Sequence, residues 1–431
     1  MTLLIISPDY ASHLLPLATL GTAWRDAGER VVVATGPATA SIVESFGFER
    51  VNLQLGKGSN PGVIRAEEQQ KGEDDALRGF FDATRRGPVE TLDFQASARL
   101  SDLMWEPVRQ ARAVQAIVAE LQPDAIIVDH LAFSARVGLI AGNIPHADVV
   151  LGHPSALPVG VEVYGYPPAW PSTINPAPVE LRGLLELCER VSVSFTNEWN
   201  TALLELNPDA TPSTSAFAEH GDLLMLNYPA ELSPPTRTDQ LSPHIFLGSA
   251  VREEALDSEV EAWLAASDEP FVYVSFGSFL SVRSDVLARV IAALRDAGIR
   301  GAIAFGSADR ADLGEIPPGW LVREFLPQVR LLSKAAGAVT HGGNNSVTES
   351  MTYGVPLLVL PFSTDQFAGA AAIEDAGFGE VLPPNDATVD ELRDAIVRVV
   401  AAPRDSLDAL SESLRGNPGR SRAYSALSNT N

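Results

Sequence analysis

Leu3-Leu-Ile-Ile6, the stretch from His13 to Gly28, and Arg30-Val-Val-Val-Ala-Thr35 together decide the fold. The first is a short, unbroken apolar run of strand type. The second carries Leu14, Leu17, Ala18 and Trp24 at helical spacing and ends at Gly28, a residue that stops helices. The third is another apolar run. Two strands joined by a helix make a β-α-β unit, whose crossover requires the strands to be parallel. Runs without polar alternation mark strands covered on both faces. The chain therefore begins as α/β.

Further along, apolar runs return at Asp124-Ala-Ile-Ile-Val128, Ala147-Asp-Val-Val-Leu151, Val191-Ser-Val-Ser-Phe195 and Leu223-Leu-Met-Leu226. Between Leu55 and Glu106 the periodicity is poor. That region holds an acidic cluster (Glu67, Glu68, Glu73, Asp74, Asp75), which reads first as solvated surface, and aromatics at Phe80, Phe81, Phe94 and Trp105. A Pro-rich stretch over 154–178 adds Tyr164, Tyr166 and Trp170. Long irregular insertions in a regular α/β domain are often binding loops. After Pro229 comes a segment rich in Pro, Ser and Thr. A second α/β block follows, with strands expected at Phe271–Phe276, Ala302–Phe305, Leu321–Arg323, Ala338–Thr340 and Pro356–Leu360. Helices are expected from Ser284 and from Ser346 to Tyr353. Two doubly wound domains result, residues 1–230 and 251–431, with a linker over 231–250. In such sheets ligands sit at the carboxyl ends of the strands.

Composition narrows the function. The 431 residues include 31 Lys and Arg against 55 Asp and Glu, a formal charge of −24. Phosphate backbones and anionic membranes call for clustered basic residues, so neither nucleic acid nor a membrane surface is an expected partner. One cysteine, Cys188, excludes an internal disulfide framework. No apolar run reaches membrane-spanning length, and Met1 to Ser7 lacks a basic flank and reads as a buried strand. A cytoplasmic location is the default. The dinucleotide fingerprint, the phosphate loop, the nucleophile elbow and the HExxH metal motif are all missing. There is no Asp-x-Asp pair to hold a divalent metal, so no metal cofactor is expected.

What the chain has instead is Thr340-His-Gly-Gly-Asn-Asn-Ser-Val-Thr-Glu349, placed directly after a strand and opening a helix. Glycines let a ligand approach the backbone, and a helix start presents free N–H groups and a partial positive charge. That is an anion site. His341, Asn345 and Ser346 can add side-chain donors. Ser346 and Glu349 alone also fit a capping box, which needs no ligand. His341 alone could be a core or cap residue. His13, at the carboxyl end of the first strand, could be an ordinary helix-start histidine, and Asp129 could be a helix cap.

The pattern Phe325-x-Pro-Gln…His341-x-Gly-x-Asn-Ser-x-x-Glu349…Asp365-Gln366 resembles the nucleotide-sugar box of family-1 glycosyltransferases of the GT-B fold. These are the plant natural-product and bacterial antibiotic enzymes. Pro8…His13-x-x-Pro16 and Val274-Ser-Phe-Gly-Ser278 are similar to the family's N-terminal region and first C-domain strand. The resemblance implies two Rossmann-like domains facing a cleft, an N-terminal acceptor domain and a C-terminal donor domain. It implies that Phe325 stacks on the base, with Leu326 and Gln328 at its edge. His341, Gly343, Asn345, Ser346 and Ser278 would surround the diphosphate. Glu349 would take the ribose hydroxyls, and Asp365 with Gln366 the sugar hydroxyls. Phe325 stands where plant members have Trp, and Asn344 where they often have Trp.

The same resemblance implies that His13 is a general base oriented by Asp129. It would deprotonate an acceptor hydroxyl, which then attacks the anomeric carbon of a UDP- or dTDP-sugar, possibly a glucose, with inversion and without a metal. The acceptor would be an apolar small-molecule natural product, lined by the aromatics of 80–105 and 164–170. Two other functions stay open: a nucleotide-sugar 2-epimerase, and a non-catalytic nucleotide-sugar-binding partner of a transferase. None of the implied diphosphate contacts is Lys or Arg, so the acidic surface opposes donor approach and the site must work locally. Oligomeric state is not legible in the sequence.

Overall fold

The computed structural model describes residues 1–62, 73–100 and 104–428. Glu67 and Glu68 of the acidic cluster lie outside the described residues. Two fully parallel sheets organise the chain. The first has seven strands in the order β3-β2-β1-β4-β5-β6-β7 and the second six, in the order β10-β9-β8-β11-β12-β13. In the first sheet, β1 is Thr2–Ile6, β2 Arg30–Thr35, β3 Glu49–Asn52, β4 Ala125–Asp129, β5 Ala147–Val150, β6 Leu223–Leu226 and β7 His244–Phe246. In the second, β8 is Phe271–Ser275, β9 Arg300–Ala304, β10 Leu321–Arg323, β11 Gly337–Thr340, β12 Leu357–Val359 and β13 Gly379–Val381. Two doubly wound α/β sheets of this kind are the GT-B architecture.

The unbroken apolar runs are the central strands. Leu3, Ile5 and Val33 pack one face of the first sheet while Leu4, Ile6, Val32 and Ala34 pack the other, all of them buried. Each such side chain contributes about 1.5–3 kcal/mol when fully buried. In the second sheet Val272, Val274, Val339 and Leu358 pack one face, and Tyr273, Ala338 and Leu357 pack the other.

Both sheets reverse their strand order at one place, between β1 and β4 and between β8 and β11. The crevice at such a reversal is where doubly wound sheets hold ligands.

Three sequence expectations change. The stretch Val191–Phe195 is not a strand but the middle of the helix Pro178–Leu206. Leu184, Cys188, Val191, Phe195, Trp199 and Ala202 are its buried stripe, spaced by three and four. The local Val-Ser-Val-Ser alternation mimics a strand, but Val193 is 64% exposed and only Val191 and Phe195 of the five are buried. Second, the irregular region contains the helices Glu73–Arg86 and Pro88–Arg99. In the latter, Val89, Leu92 and Ala96 are buried at helical spacing that the charged residues between them disguise. Third, the segment 231–250 is not only a linker. It carries β7, which pairs with β6 through Ile245 opposite Met225.

The C-terminal helix Gly419–Ser428 also returns to the first sheet's side. There Tyr424 meets Trp24 edge-on at 5.1 Å, and Arg420 bonds Asp26 at 3.0 Å. Among the described residues no helix is long and apolar enough to cross a membrane.

Candidate active site

The two crevices face each other, and each presents a histidine. In the first, β1 hands over to the helix Ala11–Asp26, whose first turn carries His13. Its neighbour β4 ends in Asp129, and the two side chains meet: His13 Nδ1 lies 2.7 Å from Asp129 Oδ2. Asp129 is fully buried, and its other oxygen accepts the Leu131 N–H at 2.8 Å. The His13 side chain stays 24% exposed. A buried carboxylate beside Nδ1 makes that nitrogen the donor, which leaves Nε2 a free acceptor. Burial works against a charged ring, but the Asp129 carboxylate, its hydrogen bond and the charge of Asp365 outweigh it and hold His13 above the usual value near 6.5. The same pairing holds Asp129 below the usual carboxylate range against its own burial. Asp129 acts as partner to His13 rather than as a helix cap.

Pro16 has a part in this turn. Proline has no N–H to offer the carbonyl four residues before it, here that of Ser12. The Ser12 carbonyl instead accepts Asn345 Nδ2 from the opposite domain at 3.3 Å. A second pair crosses the cleft beside it. Asn227 Nδ2 donates to Asn344 Oδ1 at 2.9 Å, and Asn344 Nδ2 donates to the Asn227 carbonyl at 2.8 Å.

In the second crevice His341 follows β11 directly. Gly343 caps the helix Asn344–Thr352 and has no side chain to take the helix-start N–H groups. Two glycines clamp the His341 ring. A Cβ on Gly277, whose φ is +69°, would stand 2.9 Å from His341 Cε1, and one on Gly343 would overlap Nε2. Among the described residues no carboxylate reaches this ring and its Nδ1 has no hydrogen-bond partner, and burial pushes it down to about 4. His341 is neutral at pH 7. Ser278, in the short helix Gly277–Leu280 after β8, lies on the same crevice.

Glu349 is not half of a capping box. Its side chain is 2% exposed, with Oε1 accepting Arg252 Nη1 and Oε2 accepting Gln328 Nε2, both at 2.6 Å. Tyr273 Oη in turn donates to Gln328 Oε1 at 3.3 Å. Phe325 is 54% exposed on an open cleft of about 320 Å³, lined also by Arg252, Glu254, Arg323, Leu326 and Pro327.

Asp365 starts the helix Gln366–Asp375. It crosses to the first domain, where Oδ2 accepts the His153 N–H at 2.6 Å, and burial raises its carboxyl above the ordinary range. The Gln366 carboxamide is spent on its own loop, accepting Phe362 N–H at 3.0 Å and Ser363 N–H at 3.2 Å. So the structure gathers His13, Asp129 and Asp365 at the cleft, with Asn345 alongside. Gln366 shapes the loop that presents Asp365.

Arg252, Asn227 and Asn344 are site residues that sequence reading leaves out. Of these only Asn344 stands inside the quoted motif. The aromatics expected to line an acceptor pocket are largely packed together: Tyr164 stacks on Phe217 at 3.7 Å, and Trp170 packs on Phe367 of the second domain at 4.8 Å.

The chain is similar to known glycosyltransferases in sequence and in fold. Residues 288–418 match the family model of the erythromycin biosynthesis protein CIII-like, C-terminal domain. The NDP-glycosyltransferase YjiC of Bacillus subtilis is 24% identical over 396 residues, covering 91% of this chain and 87% of that protein. The crystal structure of the glycotransferase of kitacinnamycin superposes with a TM-score of 0.68 at 22% identity, over 99% of this chain and 98% of that one. Glycosyltransferase VinC, solved in complex with DTDP, gives a TM-score of 0.67 at 20% identity, over 100% of this chain and 99% of that one.

Proposed function

We propose that this chain, a GT-B glycosyltransferase of the natural-product type, moves a sugar from a nucleoside diphosphate to a hydroxyl of an apolar small-molecule acceptor, with inversion and without a metal. The observation that carries the proposal is the His13–Asp129 pair, 2.7 Å apart at one crevice and facing the uncapped helix start at the other. Nε2 of His13 accepts the acceptor's hydroxyl proton. Asp129 stabilises the imidazolium that results, and the freed oxygen attacks the anomeric carbon from the face opposite the leaving diphosphate. Charge building on the diphosphate is met by the helix-start N–H groups at Asn344–Ser346, the Ser278 hydroxyl and neutral His341. None of these donors needs a cation. The Asp365 carboxylate, which accepts the His153 N–H of the first domain, would accept from the transferred sugar's hydroxyls.

His13→Ala tests the proposal. The expected result is a fall in kcat/KM of about 10²–10⁴-fold with donor KM little changed, while a chelator leaves the wild-type rate unaltered. Near-wild-type transfer by His13→Ala would sink the base assignment. Product analysis by NMR checks inversion directly.

A further inference from the structure

The turn that carries His13 meets the second domain twice. Ser12 gives its carbonyl to Asn345. Tyr10, at the start of the same helix, meets the His13 ring edge to face, with centroids 6.1 Å apart and planes at 65°. On its other contact Tyr10 lies across from Phe279 of the second domain, with centroids 6.3 Å apart and planes only 28° from parallel. Phe279 stands next to Ser278 in the short helix Gly277–Leu280 and packs on the apolar cluster of the second sheet. The two rings bridge the cleft between the base and the helix that carries Ser278. The proposed transfer gives neither ring a part in moving the proton or holding the phosphate.

The backbone that aims Tyr10 is anchored through both of its neighbours. The Ala11 N–H donates to the Asn60 carbonyl at 2.7 Å, and the Asn60 N–H to the Asp9 carbonyl at 2.9 Å, a parallel bridge that flanks Tyr10. The Asp9 carboxylate in turn accepts the Ala38 N–H at 3.0 Å and the Thr39 N–H at 2.9 Å.

A base able to deprotonate an alcohol can also deprotonate water. The water proton would pass to His13 Nε2, and the water oxygen would bond to the anomeric carbon. The bond from that carbon to the diphosphate would break, its electron pair leaving with the diphosphate. Free sugar and nucleoside diphosphate result, and the donor is lost. Closed active sites suppress such side reactions by excluding water. Aromatic rings suit that task, because each covers about 150–250 Å² and its face offers water no strong partner.

We propose that Tyr10 and Phe279, one from each domain, form a water-excluding seal beside His13 and so set the choice between glycosyl transfer and donor hydrolysis. The inference rests on the base assignment under the proposed function and adds to it how the base is kept for alcohols.

The test follows free glucose and glucoside together by chromatography, with UDP-glucose and dTDP-glucose as donor probes and umbelliferone as the hydroxyl acceptor. In Tyr10→Ala and in Phe279→Ala the ratio of free glucose to glucoside should rise on the order of tenfold, the scale of one lost aromatic pair. Tyr10→Phe keeps the ring and should keep the wild-type ratio. The added hydrolysis should also need the base, so Tyr10→Ala with His13→Ala should fall back to the wild-type hydrolysis rate or below, which a merely loosened fold would not do. Should Phe279→Ala fold poorly, Phe279→Leu keeps the apolar packing without the ring and is expected to show the same rise. An unchanged ratio in folded Tyr10→Ala, added hydrolysis that survives the loss of His13, or a wild type that already hydrolyses donor faster than it glycosylates overturns the inference and leaves the proposed transfer standing. A folded wild type that consumes neither donor overturns both.

Discussion

His13 and His341 stand on opposite sides of the strand reversal in their sheets: His13 follows β1, and His341 follows β11, the counterpart of β4. Each follows a central strand at the point where its sheet reverses order, and each faces the common cleft. Their chemistry differs because of one neighbour. The strand beside β1 ends in Asp129, which holds His13 above its ordinary value. The His341 ring is wedged against Gly277 and Gly343 with no carboxylate near it among the described residues, and burial takes it down to about 4. Under the proposed function, one histidine takes a proton and the other stays neutral beside an anion. Standing at the same strand reversal does not fix a role; the partner supplied by the adjacent strand does.

Removing that partner is the strongest way to break the contrast. In Asp129→Asn the Oδ charge is gone, and burial pushes His13 down against the charge of Asp365 alone. A general base works in its neutral form, so wild-type kcat/KM should rise with pH through a value above 6.5, and the variant's acid limb should move to lower pH. The rate on the plateau should fall on the order of 10²-fold, since the imidazolium formed in transfer loses its counter-charge. A pH–rate profile with an unmoved acid limb would mean that Asp129 does not tune His13.

The mirror experiment is His341→Ala. Under the proposed function, the neutral ring would hydrogen-bond the donor and the transition state without titrating near pH 7. The variant should lose about tenfold in kcat/KM, chiefly through donor KM, and its pH profile should overlay the wild type's. A shifted acid limb here would erase the distinction between the two histidines.

Much of this contrast is legible in the sequence because it rests on local pattern. The strands β1, β2, β8 and β11 announce themselves as unbroken apolar runs, since both of their faces are buried. The anion site is legible because His341, the glycines and Asn345 sit within a few residues of one helix start. What cannot be read is set by chain segments far apart. Arg252 meets Glu349 across 97 residues, and Asn227 meets Asn344 across 117. Nothing near Arg252 in the sequence distinguishes it from an ordinary surface cation. Glu349 looks like a cap for Ser346 by spacing, yet turns inward to Arg252 and Gln328. The stretch Val191–Phe195 misleads for the reverse reason: five residues alternate like a strand, while the helical stripe appears only over the whole of Pro178–Leu206.

The smallest expected effect tests how the two crevices are held in register. Pro16 sits inside the helix that carries His13, where proline is normally costly, and the bond it forgoes is the one to the Ser12 carbonyl. That carbonyl is the acceptor for Asn345 across the cleft. Pro16→Ala restores an N–H that competes for it, so the helix gains a hydrogen bond while the interdomain contact weakens. Transfer should slow by roughly twofold to fivefold, in line with one shared neutral bond of about 0.5–1 kcal/mol, and Tm should hold or rise. The pH profile should stay in place, because Asp129 is untouched. A fall in Tm with unchanged kinetics would instead show that the proline serves the helix alone, and that Asn345 needs no freed carbonyl to reach the base's domain.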